Sequence, residues 1–279
     1  MDLSDSFAKW AATLSFLTNL AAQIYGLTTS PNMKDINDAN LSFWSPQPIF
    51  IALLFFPLQL FQIVWLYRLF WRNAAPVVQR NVVRQEEIKM LVEYVPYYSL
   101  GNFSIATDSD FEYDIVWMIF WNLSQLKIAN IFVLINSSIQ LYYIYGLIPH
   151  MNKDSASSIL THIISKSLAG IGVIDLLHNS SAAYFRHQTP GVLVRIVTGV
   201  CFGALASSSD WIFGSCLVYD LIALSVGQRG MGETSWSNLL TIYAIATAGI
   251  VILKNLTSPP YKSYYPNTYE PVMNDEAAT

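Results

Sequence analysis

Runs of about twenty apolar residues, separated by short polar or charged stretches, recur along the chain and predict an all-α, polytopic bundle of transmembrane helices. The pattern places spans over residues 6–27, 47–70, 89–106, 127–148, 159–179, 191–206, 211–226 and 236–256, about eight in all. One stretch complicates the count. Residues 107–114 read TDSDFEYD, immediately ahead of the apolar piece 115–121, and a charged run of that density cannot sit in hydrocarbon. Either the third helix ends at Ala106 and 115–123 is re-entrant or interfacial, or the acidic run loops out of one interrupted helix. Seven or nine spans are the alternatives. Residues 258–279 carry Pro259, Pro260, Pro266 and Pro271 and read as a disordered tail, which leaves 1–257 as the transmembrane domain.

Charge orients the bundle. Between Arg68 and Lys89 lie Arg72, Arg80 and Arg84, against only Glu86 and Glu87. Cytoplasmic loops carry such an excess of basic residues. With this loop in the cytosol and eight spans, both termini face the cytosol and the loop 28–45 faces the lumen, as expected of a multi-pass protein of the endoplasmic reticulum. That lumenal loop contains the glycan-acceptor sequon Asn40-Leu41-Ser42. Trp65, Tyr67, Arg68, Trp71 and Arg72 read as an interfacial cluster, and Tyr142, Tyr143 and Tyr145 as an aromatic belt.

Composition agrees with a membrane protein: 53% of the residues are hydrophobic and 12% charged, about half the charged fraction of a soluble domain. A net charge of −4 offers no basic surface for nucleic acid. The expected partners are membrane lipid and a lipophilic small molecule. Cys201 and Cys216 fall in apolar runs without metal-ligand spacing and read as small hydrophobes, so neither a metal nor a cofactor is expected. Nucleotide-binding loops, HExxH helices and GxSxG elbows are all missing from the sequence.

Candidate chemistry concentrates in residues 169–185, AGIGVIDLLHNSSAAYF. Asp175, His178 and Asn179 are three and four residues apart, so a helix projects them from one face. Gly170 and Gly172, one turn earlier, would let a neighbouring helix approach closely. Asp175 thus reads as the floor of an intramembrane pocket. Asp220 lies within another apolar segment, Glu93 near the cytosolic end of the third helix, and Asp210 at a helix start, where N-capping explains it as well as catalysis does. Lys166 is about 180° around the helix from Asp175 and needs a partner elsewhere, or snorkels. A carboxyl desolvated in a low-dielectric site is pushed toward its neutral form and can donate a proton. The chain also holds 15 Phe, 16 Tyr and 8 Trp, and aromatic faces stabilise cations. Acids among aromatics suit a carbocation reaction.

On these grounds Asp175, Asp220, Glu93 and His178 are the candidate catalytic residues, and Asn179, Tyr97, Phe213 and Asp210 the candidate substrate-binding residues. Interfacial placement explains most of the aromatics equally well, and an interhelical hydrogen bond explains either buried aspartate.

Two family resemblances bear on function. The segment 40–60, NLSFWSPQPIFIALLFFPLQL, with Trp65 beyond it, and residues 169–179 resemble the glycine-containing and tryptophan-bearing regions of the extended tryptophan-rich sensory proteins, relatives of the translocator protein. This implies a binder or carrier of a tetrapyrrole or sterol. In size, span number and isolated acids amid aromatics, the chain resembles the membrane-bound terpene cyclases of fungal meroterpenoid pathways, of the ascofuranone and ascochlorin type. That resemblance implies metal-independent protonation of an epoxide or olefin on a prenylated aromatic, followed by ring closure. A proton-coupled transporter, with Asp175, Lys166 and Asp220 as its relay, is the third alternative.

Overall fold

The computed structural model describes residues 3–71, 82–103, 116–153 and 155–257. The acidic run 107–114, the basic positions 72–81 and the tail 258–279 lie outside them. The described residues are helical, without strands: α1 (Leu3–Thr28), α2 (Met33–Ala39), α3 (Pro48–Trp71), α4 (Val82–Phe103), α5 (Val116–Asn122), α6 (Leu126–Tyr142, continued by a π turn over Tyr143–Leu147), α7 (Ala156–Tyr184), α8 (Val192–Ser208), α9 (Trp211–Gly230) and α10 (Thr234–Thr257). Five of them, α3, α6 with its π turn, α7, α9 and α10, are long and apolar enough to cross a membrane. Those five are compatible with a membrane-embedded protein. α1 and α4 are not among them, and α8, with 17 residues, is short.

Eight helices run alternately between two ends of the bundle. At one end, here the terminal end, Trp10 of α1 meets Phe70 of α3 edge to face, Arg68 of α3 donates to Ser157 of α7, and Lys254 of α10 donates to Ser209 ahead of α9. At the distal end, the loop between α2 and α3 ties three helices together. Ser42 hydrogen-bonds Ser181 of α7 at 2.6 Å, Gln228 of α9 donates to the Ser42 carbonyl, and Trp236 of α10 donates to the Phe43 carbonyl. Consequently α7 and α9 run parallel and pack on each other, and α8, which joins them, returns against α10.

The helix α7 is the axis of the structure, packed against α3, α4, α6 and α9. Its buried positions are mostly Ser, Thr, Ala and Gly, and small side chains are what allow helices to approach on several faces. A Cβ on Gly170 would lie 2.4 Å from the Cβ of Cys216 on α9, and one on Gly172 would lie 3.2 Å from the Ser137 hydroxyl on α6. The close approach expected of these glycines is therefore present on two sides at once. Because the Cys216 Cβ cannot rotate away, Gly170→Ala is expected to force α7 from α9 and destabilise the protein by about 1–3 kcal/mol, as overpacking does. Thermal unfolding in detergent measures this; an unchanged midpoint would show that the two helices slide apart freely.

Several expectations change. Trp65 and Tyr143 are 0% and 2% exposed, inside a cluster with Tyr94 and Tyr98, rather than in interfacial belts. Tyr67, two residues from Trp65 and so about 200° around α3, is 56% exposed. Trp65 instead satisfies its indole N–H on Thr161 of α7 at 3.0 Å, as a buried tryptophan requires. Residues 33–39 of the expected polar loop form α2, whose start is a capping box of Asn32 and Asp35. Asn40 is 5% exposed; its Nδ2 donates to the Ile36 carbonyl and its Oδ1 accepts from Arg186. A glycan on that nitrogen has no room. Cys201 is exposed, whereas Cys216 is buried as expected.

Candidate functional site

A cavity of about 100 Å³ lies between α1, α4, α6 and α7, with Trp117 of α5 and Phe55 of α3 also in its wall. Six polar side chains line it: Asn19 and Gln23 of α1, Asn102 of α4, Asn136 and Gln140 of α6, and Asp175 of α7. The spacings are helical, four residues on α1 and on α6, so each helix turns one polar face inward. The α7 contribution, Leu168, Ile171, Gly172 and Asp175, follows the same periodicity. Among the described residues, no lysine or arginine lines the cavity. One water needs about 10–15 Å³ of such space; the cavity therefore takes a polar group with a few carbons around it.

The hydrogen bonds inside it are incomplete. Asn19 donates to Asn102 Oδ1 at 2.7 Å, and Gln23 to Asn19 Oδ1 at 3.4 Å. Gln140 donates through Nε2 to the Tyr97 carbonyl at 3.2 Å, which fixes its amide orientation. Asn136 Oδ1 and Gln140 Oε1 are buried without a hydrogen-bond partner among the described residues.

The expected residues divide into three groups. Asp175 opens into the cavity. Asn179 supports it from one turn below, donating to the Asp175 carbonyl at 2.9 Å and accepting the Trp117 indole N–H at 3.1 Å, so it orients a wall of the cavity. Asp220 lies on α9, 1% exposed, with neither carboxyl oxygen partnered among the described residues. It is close enough to Asp175 for the two to interact electrostatically. The remaining residues lie elsewhere. His178 packs its ring 5.5 Å from that of Trp121, on the side of α2 and α5. Tyr97 stacks on Tyr143 at 5.0 Å and reaches the cavity only through Gln140. Phe213 belongs to the core between α7, α9 and α10, and Glu93 is exposed.

Asp210 is at the terminal end of α9 and has two structural tasks. Its Oδ1 caps α9 by accepting the Phe213 N–H at 3.0 Å, and its Oδ2 pairs with Lys166 of α7. Burial alone would raise its pKa, but the Lys166 ammonium and the two hydrogen bonds together hold it below the ordinary value. The sign follows: its contribution to stability is complete above the unfolded value near 3.9 and is lost as pH falls through the lower folded value. The Lys166 side chain is 11% exposed and that of Asp210 34%. Asp210→Ala removes a cap worth about 1 kcal/mol and leaves a buried ammonium unpaired, a cost discounted for the partly solvated partner. A total loss of about 2–3 kcal/mol is expected, most of it recovered in Lys166→Met/Asp210→Asn, with thermal midpoints at pH 7 and pH 3 as the measurement.

The five amides of the lining are what sequence reasoning missed. Asn19, Gln23, Asn102, Asn136 and Gln140 sit singly or in pairs inside apolar segments, where an uncharged amide barely lowers the hydropathy of a span. The i,i+4 repeat on α1 and on α6 was the available signal. No family model, curated protein or solved structure matches the chain; the functional reading rests on the site itself.

Proposed function

We propose that the protein is an integral-membrane terpene cyclase in which Asp175 starts ring closure by protonating an epoxide or olefin of a prenylated aromatic. The observation that carries this reading is the cavity: Asp175 lines a partly polar space between four helices, with no lysine or arginine among the described residues around it. Acid catalysis needs the neutral carboxyl, the form that a low-dielectric site without a counter-cation favours. Trp117 and Phe55 put aromatic rings in the wall of the space in which a carbocation would develop. The proton moves from Asp175 to the substrate; the resulting cation is attacked by the π electrons of a neighbouring double bond, and the product cation loses a proton to the Asp175 carboxylate. The sum is an isomerisation.

In this reading all eight alternating helices span the bilayer, both ends of the bundle's chain lie on the cytosolic side marked by the basic residues between α3 and α4, and the endoplasmic reticulum is the expected location. The lipophilic substrate enters from the bilayer, its reacting end in the cavity. A non-catalytic carrier would use the same space, whereas the transporter relay loses a member, because Lys166 is engaged by Asp210. The test is expression in a host without the activity, fed with prenylated phenols bearing a terminal epoxide and with the corresponding olefins. The expected result is an isomer of unchanged mass with one more ring. Retention of the compound without conversion would favour the carrier.

A further inference from the structure

We propose that the cavity at Asp175 is a binding site for lipophilic tertiary amines, which enter uncharged, take up the carboxyl proton and are held as ammonium ions against the carboxylate. The inference shares with the cyclase reading a transferable proton on Asp175 and nothing else. Asp175 is the one titratable side chain among the described residues that line the cavity; the rest of the polar lining is amide. An anionic ligand would meet a carboxyl there with no lysine, arginine or histidine among those residues to answer it. A basic ligand finds the reverse. Access separates Asp175 from the other buried acid: the oxygens of Asp220 are enclosed in the protein, whereas Asp175 is half-buried and its carboxyl makes no hydrogen bond to another described residue.

The apolar lining fits the rest of such a molecule. Trp117 spends its indole N–H on Asn179 at 3.1 Å, so its ring has only the π system left to offer a ligand, and Phe55 has nothing else. Aromatic rings attract ammonium groups through their quadrupoles. The cavity of about 100 Å³ takes a head with small substituents on nitrogen, such as dimethylammonium, and Val133, Leu168 and Ile171 suit the first carbons of its chain.

The proton transfer fits the route. A fixed charge is costly in hydrocarbon, so the amine crosses as the free base. At Asp175 the nitrogen lone pair takes the proton, the O–H bond breaks, and its electron pair remains on the carboxylate. The complex carries no net change in charge, and the hydrogen bond that joins the two ions is charge-assisted and stronger than a neutral one. A quaternary ammonium ion lacks this route: it arrives charged and forms the pair only by driving the carboxyl proton into solvent.

The experiment uses the full-length protein in nanodiscs and radiolabelled N,N-dimethyldodecylamine, with binding to empty nanodiscs subtracted. A single saturable site per protein is expected. The hydrocarbon 2-methyltetradecane, which has the same shape with CH in place of nitrogen, is expected not to displace the amine, and this competition requires no variant. Asp175→Asn is expected to weaken binding by about tenfold or more, as loss of a hydrogen bond between charged groups does, and Trp117→Leu by about threefold. Absence of a saturable site, displacement by the hydrocarbon at equal concentration, or wild-type affinity in Asp175→Asn would each overturn the proposal. Saturable binding that depends on Asp175, in a protein that makes no cyclised product from a prenylated phenol epoxide or olefin, would uphold the amine site and sink the cyclase reading. Cyclisation by a protein without a saturable amine site would do the reverse.

Discussion

Asp175→Asn is expected to abolish cyclisation while leaving the bundle folded. The substitution preserves size and shape and keeps a polar group facing the cavity, but an amide has no proton of comparable acidity to give. A positioned general acid contributes about 10²–10⁴-fold, and turnover should fall into that range at unchanged protein yield. The fold has little reason to respond. The carboxyl makes no hydrogen bond to another described residue, and the contacts of this turn of α7 run through the Asp175 backbone carbonyl, which Asn179 holds, and through Gly172, whose carbonyl accepts from Ser137. Product analysis by mass spectrometry gives the rate, and thermal unfolding gives the control. Full activity in a normally folded Asp175→Asn protein would remove the acid from the mechanism and leave the cavity as a binding site.

The long helices were legible because each carries enough apolar residues to announce a span, and their ends shifted where capping chemistry outruns hydropathy. The helix α7 extends from Ala156 to Tyr184, beyond the expected 159–179, because Ser155 caps its start by accepting the Ser158 N–H, and because the small polar residues that close it pack as well as they would loop. The short α2 has no hydrophobic signature, yet Asn32 followed by Asp35 is a readable start signal. The apolar piece after the acidic run is α5, a seven-residue helix. Beyond it the chain reverses at Ser124, whose φ of 59° is left-handed, and enters α6.

The site was legible in part. Asp175 and Asn179 stand out because a charge or an amide in an apolar helix next to glycines has few bland explanations, and both belong to the cavity or its support. His178 shares their helical spacing but packs on Trp121; a face about 100° wide can border two different neighbours, and spacing alone does not separate them. The amides of α1, α4 and α6 were hidden for a different reason. Each is unremarkable within its own helix, and they acquire meaning only when the packing of α1 on α4, and of α4 and α6 on α7, brings them to one place. Asp210 illustrates the reverse case, in which a conspicuous acid is fully occupied by a cap and an ion pair.

Asp220 poses the sharpest question of stability against function, and two substitutions answer it together. A carboxyl that is 1% exposed with both oxygens unpartnered among the described residues is a burden to the fold. Replacing it by an apolar group of similar size removes an unsatisfied polar group worth about 1–3 kcal/mol, so Asp220→Leu is expected to raise the thermal midpoint. Proteins keep such destabilising groups where activity needs them, and under the cyclase proposal the neighbouring Asp175, with which Asp220 interacts electrostatically, supplies the reason. Both Asp220→Leu and Asp220→Asn should therefore lower turnover, by about 10²-fold, the lower end of what an acid–base group contributes. The pattern of outcomes separates the causes. A stabilised Leu variant that turns over normally would make Asp220 irrelevant to the chemistry, a destabilised one would mean that the carboxyl has a structural partner, and a stabilised but slow one is the signature of an acid retained for its effect on Asp175.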